Sequence, residues 1–202
     1  MLLAVLCLLA GMGGGWLIRG LQHPQAAAPA GQSSEAAPAT QQADAAPAAP
    51  KQTPEQLKQL ADSQAAPILA QLKSDPGNAD LLTSVGNLYY DAQQYPTAAD
   101  YYARALQSRP ADVSVRTDMG TAYWYMGQTD RAIAEFKKAL SYAPTNASTL
   151  FNLGLVQWKG KHDARSAIAN WKKLLAANPN YAAKDKVEDM LSEVQTAQQA
   201  AR

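Results

Sequence analysis

The chain has 202 residues, with 18 Lys and Arg against 17 Asp and Glu. Within residues 54–202 there are 16 basic and 15 acidic side chains, a near-neutral balance that offers no footprint for a phosphate backbone and excludes nucleic acid as a partner. The single cysteine, Cys7, excludes an intrachain disulfide.

The stretch "LLAVLCLLAGMGGGWLI", residues 2–18, carries no charge. As a helix it spans about 26 Å, just under a hydrocarbon core of about 30 Å. Trp16 and Arg19 stand at its end, where an interfacial aromatic and a snorkelling cation belong. Residues 1–20 therefore read as a single-pass membrane anchor. A cleaved signal peptide competes, but it lacks a basic start, and its small-residue cleavage sites around Ala26 to Ala30 fall well beyond the apolar run. A lipidated Cys7 fits poorly, since Leu6 precedes it and the apolar run continues past it. Arg19 votes for a cytoplasmic C-terminal side, whereas the scarcity of Lys and Arg from there to Lys51 favours translocation to an outward, periplasm-like location. Gly11 and Gly15 form a GxxxG pair, read either as a homodimer face or as part of a glycine-rich membrane helix without a partner.

Residues 21–52 are mostly Ala, Pro and Gln, with hardly a large apolar side chain to bury. Such a segment cannot offset the entropy of ordering and is expected to be a disordered linker. Its prolines, from Pro24 to Pro50, break any helix the alanines start and bias the chain towards polyproline II.

Residues 53–78 read as an N-terminal capping helix. Thr53 is the N-cap, Pro54 holds the first helical position, and Gln56 completes a capping box. Leu57, Leu60, Ile68 and Leu72 form the expected apolar stripe, and Pro67 is expected to kink or split the helix.

Residues 79–181 repeat. Gly86, Gly120 and Gly154 are spaced by 34 and 34. Each is followed in register by an alanine (Ala98, Ala132, Ala167), an aromatic (Tyr102, Phe136, Trp171) and a proline (Pro110, Pro144, Pro179), with one extra residue in the third unit, within 159–165. Each unit reads as two amphipathic helices joined by a short turn. Their small residues, Gly on the first helix and Ala on the second, are expected to face one another. The aromatic is expected to fill the groove between neighbouring units. Three stacked units can bury what one cannot, provided the ends are capped. At the far end, residues 182–202 read as a C-terminal capping helix with an apolar stripe of Val187, Leu191 and Val194 beside Met190.

"SVGNLYY", "DMGTAYW" and "NLGLVQW", paired with "AADYYARALQSRP", "AIAEFKKALSYAP" and "AIANWKKLLAANP", resemble the tetratricopeptide repeat (TPR) family. The departures are Gln157 for Tyr, Leu174 for Ala, and the insertion. The resemblance implies an all-α fold: a right-handed superhelix of helix-turn-helix repeats with helical caps, preceded here by the transmembrane helix and the linker. It also implies that first helices line a concave, peptide-binding groove. The residues in that phase are Asn87, Tyr90, Asp91, Thr121, Trp124, Tyr125, Phe151, Leu155 and Trp158. For Tyr90, Trp124 and Trp158 packing between repeats is the competing role, whereas Tyr123 and Phe136 read as core. The chaperone-tail-binding subset of the family clamps a terminal carboxylate with Lys and Asn. Thr83, Thr117 and Phe151 stand in place of that Lys and only Asn87 matches, which argues against a cytosolic chaperone-tail adaptor.

Catalysis is not expected. His23 lies in the linker and His162 in the inserted turn, neither with a second ligand at metal spacing, so no metal site and no cofactor is called for. Lys159, Lys161, His162 and Arg165 form a basic spot, read as a solvated loop or as a contact for an acidic partner. The anchor, the Ala/Pro linker and the repeats together resemble the repeat modules of bacterial cytochrome c maturation proteins. That implies an inner-membrane, periplasm-facing scaffold or assembly factor with a protein or peptide partner. The alternative is a self-associating structural spacer without a peptide ligand.

Overall fold

The computed structural model describes residues 52–200. The expected anchor, the Gly11/Gly15 pair, Cys7, His23 and the linker up to residue 51 lie outside the described residues. Among the described residues no helix is long and apolar enough to cross a membrane.

Eight helices and no strand are found in that part. They are α1 (Pro54–Leu72), α2 (Ala79–Asp91), α3 (Tyr95–Ser108), α4 (Val113–Tyr125), α5 (Thr129–Tyr142), α6 (Ala147–Lys161), α7 (Ala164–Ala177) and α8 (Lys184–Ala200). Helices α2/α3, α4/α5 and α6/α7 are the three repeat pairs, stacked between α1 and α8.

Local chemistry sets the helix ends. The Thr53 capping box is formed: Gln56 N donates to Thr53 Oγ1 at 3.2 Å and Thr53 N to Gln56 Oε1 at 2.8 Å. Asn78, Asp112 and Asn146 cap the first helix of each pair by accepting its first-turn N–H groups, a contribution of about 1 kcal/mol each. The second helices end on Arg109, Ala143 and Asn178, each outside helical geometry and each followed by proline, because a residue before proline is pushed out of the α region. The turn within each pair passes through one left-handed residue: Gln93 (φ 59°), Gly127 (φ 73°) and His162 (φ 55°). Only the second carries the residue type that adopts this conformation without penalty.

The pairs close differently from the expected Gly-to-Ala contact. Each repeat glycine faces the aromatic ring of its own second helix. A Cβ on Gly86 would lie 2.6 Å from Tyr102 Cε1, and one on Gly120 would lie 2.7 Å from Phe136 Cε1. On Gly154 it would collide with the Trp171 indole. The physical reason is size: a ring lying across a helix needs bare backbone beneath it, whereas Ala98, Ala132 and Ala167 are fully buried without needing the glycine. Tyr102, Phe136 and Trp171 are at most 1% exposed, and burying such a ring is worth about 2–3 kcal/mol. Their polar atoms are satisfied: Tyr102 Oη donates to Asn87 Oδ1 at 2.8 Å, and Trp171 Nε1 to the Phe151 carbonyl at 3.1 Å.

The ends also differ in detail from the expected stripes. Helix α1 runs through Pro67 as one helix. Its seam uses Ala61, Ala65 and Leu72, with Leu57 and Ile68 at the edge, while Leu60 is 44% exposed. Small residues win there because α1 lies close on α2, where Tyr89 Oη reaches Asp62 Oδ1 at 2.9 Å. Burial, followed by that bond, pushes the Tyr89 hydroxyl up to about 12, while Lys58 and Tyr89 hold Asp62 below its usual range. At the other end Val187, Leu191 and Val194 bury against Trp171 and Leu174, with Met190 packed beside them.

Candidate functional site

The first helices lie side by side along one face. Tyr90 of α2 meets Tyr125 of α4 edge to face, with ring centroids 6.2 Å apart. Thr117 of α4 and Thr149 of α6 share a buried hydrogen bond of 2.7 Å, and Asn152 Nδ2 donates to Thr121 Oγ1 at 3.3 Å. Lys159 of α6 pairs with Glu193 of α8 at 2.9 Å. Helix α8 thus continues the row as a fourth first helix would.

At the α2–α4 end this face holds a cleft of about 280 Å³ lined by Asn87, Tyr90, Asp91, Tyr102 and Asp118. Asn87 is fixed there by the Tyr102 hydroxyl. Among the described residues Asp118 accepts no side-chain hydrogen bond, and neither Asp91 nor Asp118 joins an ion pair. Burial, followed by the Asp112 and Asp91 charges, pushes the Asp118 carboxyl up to about 6. Burial also raises the Tyr90 hydroxyl, with the neighbouring Tyr125 and Asp118 adding to it. Tyr90 also packs on two further rings: Tyr95 stacks on Tyr125 with centroids 4.7 Å apart and meets Tyr90 edge-on at 5.5 Å. Tyr125 is 57% exposed.

The structure brings Asn87, Tyr90 and Asp91 to this cleft, and packs Tyr125 against the Tyr90 ring. Thr121 lies one turn along α4, its hydroxyl donating to the Thr117 carbonyl at 2.9 Å. Trp124 is half-buried against α6: a Cβ on Gly160 would lie 2.6 Å from its Cζ3. Phe151, Leu155 and Trp158 are half-buried against the third pair and α8, with the Lys186 ammonium 5.4 Å from the Phe151 ring. Trp158 Nε1 is buried without a close hydrogen-bond partner among the described residues.

The inserted residue is not in the turn. Helix α6 runs through Lys159, Gly160 and Lys161 to a left-handed C-cap at His162. The basic spot is accordingly engaged within the chain, Lys159 with Glu193 and Lys161 with Asp130, both at 2.9 Å. Asp118 and Tyr95 were not among the expected groove residues. The available signal for Asp118 was its spacing, three residues before Thr121 and seven before Tyr125 on one helix face.

Family models match residues 60–113, as a tetratricopeptide repeat, and residues 120–160, as a TPR repeat. No curated protein matches the chain. Among solved structures, MamA is similar at 17% identity and TM-score 0.56, over 71% of this chain and 92% of that one. The first TPR of Spaghetti (RPAP3), bound to the HSP90 peptide SRMEEVD, is similar at 18% identity and TM-score 0.56, over 60% and 93% of the two chains. The Sgt2 TPR domain from Aspergillus fumigatus is similar at 26% identity and TM-score 0.55, over 61% and 83%. With three helix pairs in register, each closed by a glycine under a ring, the chain carries tetratricopeptide repeats.

Proposed function

We propose that the protein is a scaffold or assembly factor that holds an extended protein or peptide segment along the face formed by its first helices. The observation carrying this reading is the open cleft on that face, with the exposed Tyr125 ring packed edge to face on its Tyr90 wall. Rigid aromatic anchors beside oriented polar groups suit an extended segment. The Spaghetti domain, of similar fold, is bound to a peptide. That supports the mode of binding, while the identity of this chain's ligand rests on its own groove.

In the fuller proposal, residues 2–18 anchor the protein in a bacterial inner membrane, and the Ala/Pro linker holds the repeats off it on the periplasmic side. The bound segment then belongs to an apocytochrome or a haem-ligation partner during cytochrome c maturation. Deleting residues 2–18 should move the protein from the membrane fraction to the soluble fraction. Recovery in the membrane fraction without them would refute the anchor.

Tyr125→Ala is the variant of choice for testing the groove, because Trp124 also packs on Gly160 and its loss would disturb folding. A partner recovered with the wild type should be lost with Tyr125→Ala while the helical spectrum is unchanged. An unchanged partner list from a folded variant would refute the groove.

A further inference from the structure

We propose that the cleft between α2 and α4 receives a lysine or arginine side chain, so that the segment this protein holds is basic. The inference rests on the reading that the first-helix face binds a peptide segment, and it names that segment's chemistry.

The cleft presents carboxylates from two helices, Asp91 and Asp118, without a cation among the described residues to pair either. Asn87 cannot neutralise them, and its side-chain carbonyl already accepts from Tyr102. Tyr90 and Tyr102 line the cleft, with Tyr125 and Tyr95 packed on Tyr90, and an ammonium or guanidinium is attracted to such rings. The arginines of α4 and α5 are engaged elsewhere: Arg116 pairs with Glu135 at 2.7 Å, and Arg131 donates to the Tyr123 hydroxyl at 2.7 Å.

A cleft of this volume admits the end of one long side chain but not a folded surface. The carboxylates also repel an acidic segment such as the SRMEEVD peptide held by the Spaghetti domain. The charge pattern therefore fits a basic peptide and disfavours an acidic one.

The test uses the full chain and three pools of short fluorescent peptides, identical except that fixed positions carry Lys, Gln or Glu. Fluorescence anisotropy should rank Lys above Gln above Glu. Asp118→Asn should weaken the Lys pool about fivefold, the weight of one partly exposed ion pair, and leave the Gln pool unchanged. Equal binding of all pools that is still lost in Tyr125→Ala would overturn the basic-segment inference and leave the groove standing. Tighter binding of the Glu pool, or no effect of Asp118→Asn on the Lys pool, would overturn it equally. Failure of every pool to bind, or binding indifferent to both variants, would remove the groove as well.

Discussion

Asp118 should make the fold less stable at neutral pH, and Asp118→Asn should recover that loss. Its carboxyl is raised to about 6 in the folded protein, by burial first and then by the Asp112 charge at the α4 N-cap and the Asp91 charge on α2. The folded state therefore holds this proton more tightly than the unfolded chain does. Its contribution to stability is fully present below the unfolded value near 4 and is lost as the pH rises through about 6. A displacement of about two pH units corresponds to about 3 kcal/mol, and partial exposure to water reduces this to about 1–3 kcal/mol. The asparagine variant should gain that amount over the wild type near neutral pH, while the two should be nearly equal near pH 4. Urea unfolding followed by circular dichroism at both pH values measures the difference. An asparagine variant that is less stable at neutral pH, or a difference independent of pH, would refute the argument. The gain is to be expected at a site where binding is retained at the expense of stability.

The other predictions follow from the joints and turns. Gly120→Ala should destabilise by about 1–3 kcal/mol despite alanine's better helix propensity, because its Cβ would meet the Phe136 ring at 2.7 Å. Adding Phe136→Leu should return part of that loss, as thermal unfolding of single and double variants would show. Gln93→Gly and His162→Gly should each raise stability by about 0.5–1 kcal/mol, since both residues sit at positive φ. Gly127→Ala should lower it by a similar amount, all three read by urea midpoints. Trp171→Ala should cost about 3–5 kcal/mol, because the fully buried indole joins α7 to Gly154 of α6, and a loss below about 1 kcal/mol in chemical unfolding would contradict that role.

The repeat was legible because three copies in register amplify each weak signal. Gly, Ala, aromatic and Pro at a period of 34 fix the pairs, and Thr53 with Gln56 fixes the start. What the glycine meets was not legible. Period gives the face of a helix but not which residue across the interface fills it, so the ring over Gly86, Gly120 and Gly154 emerged only from the structure. The insertion was misplaced for a related reason. One extra residue can lengthen a helix or a turn, and continued packing of Gly160 beneath Trp124 favours the helix. Leu60 looked like core by hydrophobicity but lies off the seam, where Ala61 and Ala65 permit close approach. In the candidate site, Asn87, Tyr90 and Asp91 follow from helix phase. Asp118 shares the phase of Thr121 and Tyr125, but its importance depends on the absence of a nearby cation among the described residues, a property of the assembled α2–α4 face.

The account depends on the first-helix face taking up a polypeptide segment. Site-specific photocrosslinking in living cells tests this most directly, with a photoreactive side chain in place of Tyr125 and a control at Lys172, exposed on α7. The account predicts one adduct from position 125, absent from position 172, whose crosslinked peptide is a basic segment of another protein. Adducts shared equally by both positions, or formed only with a second copy of this chain, would contradict it.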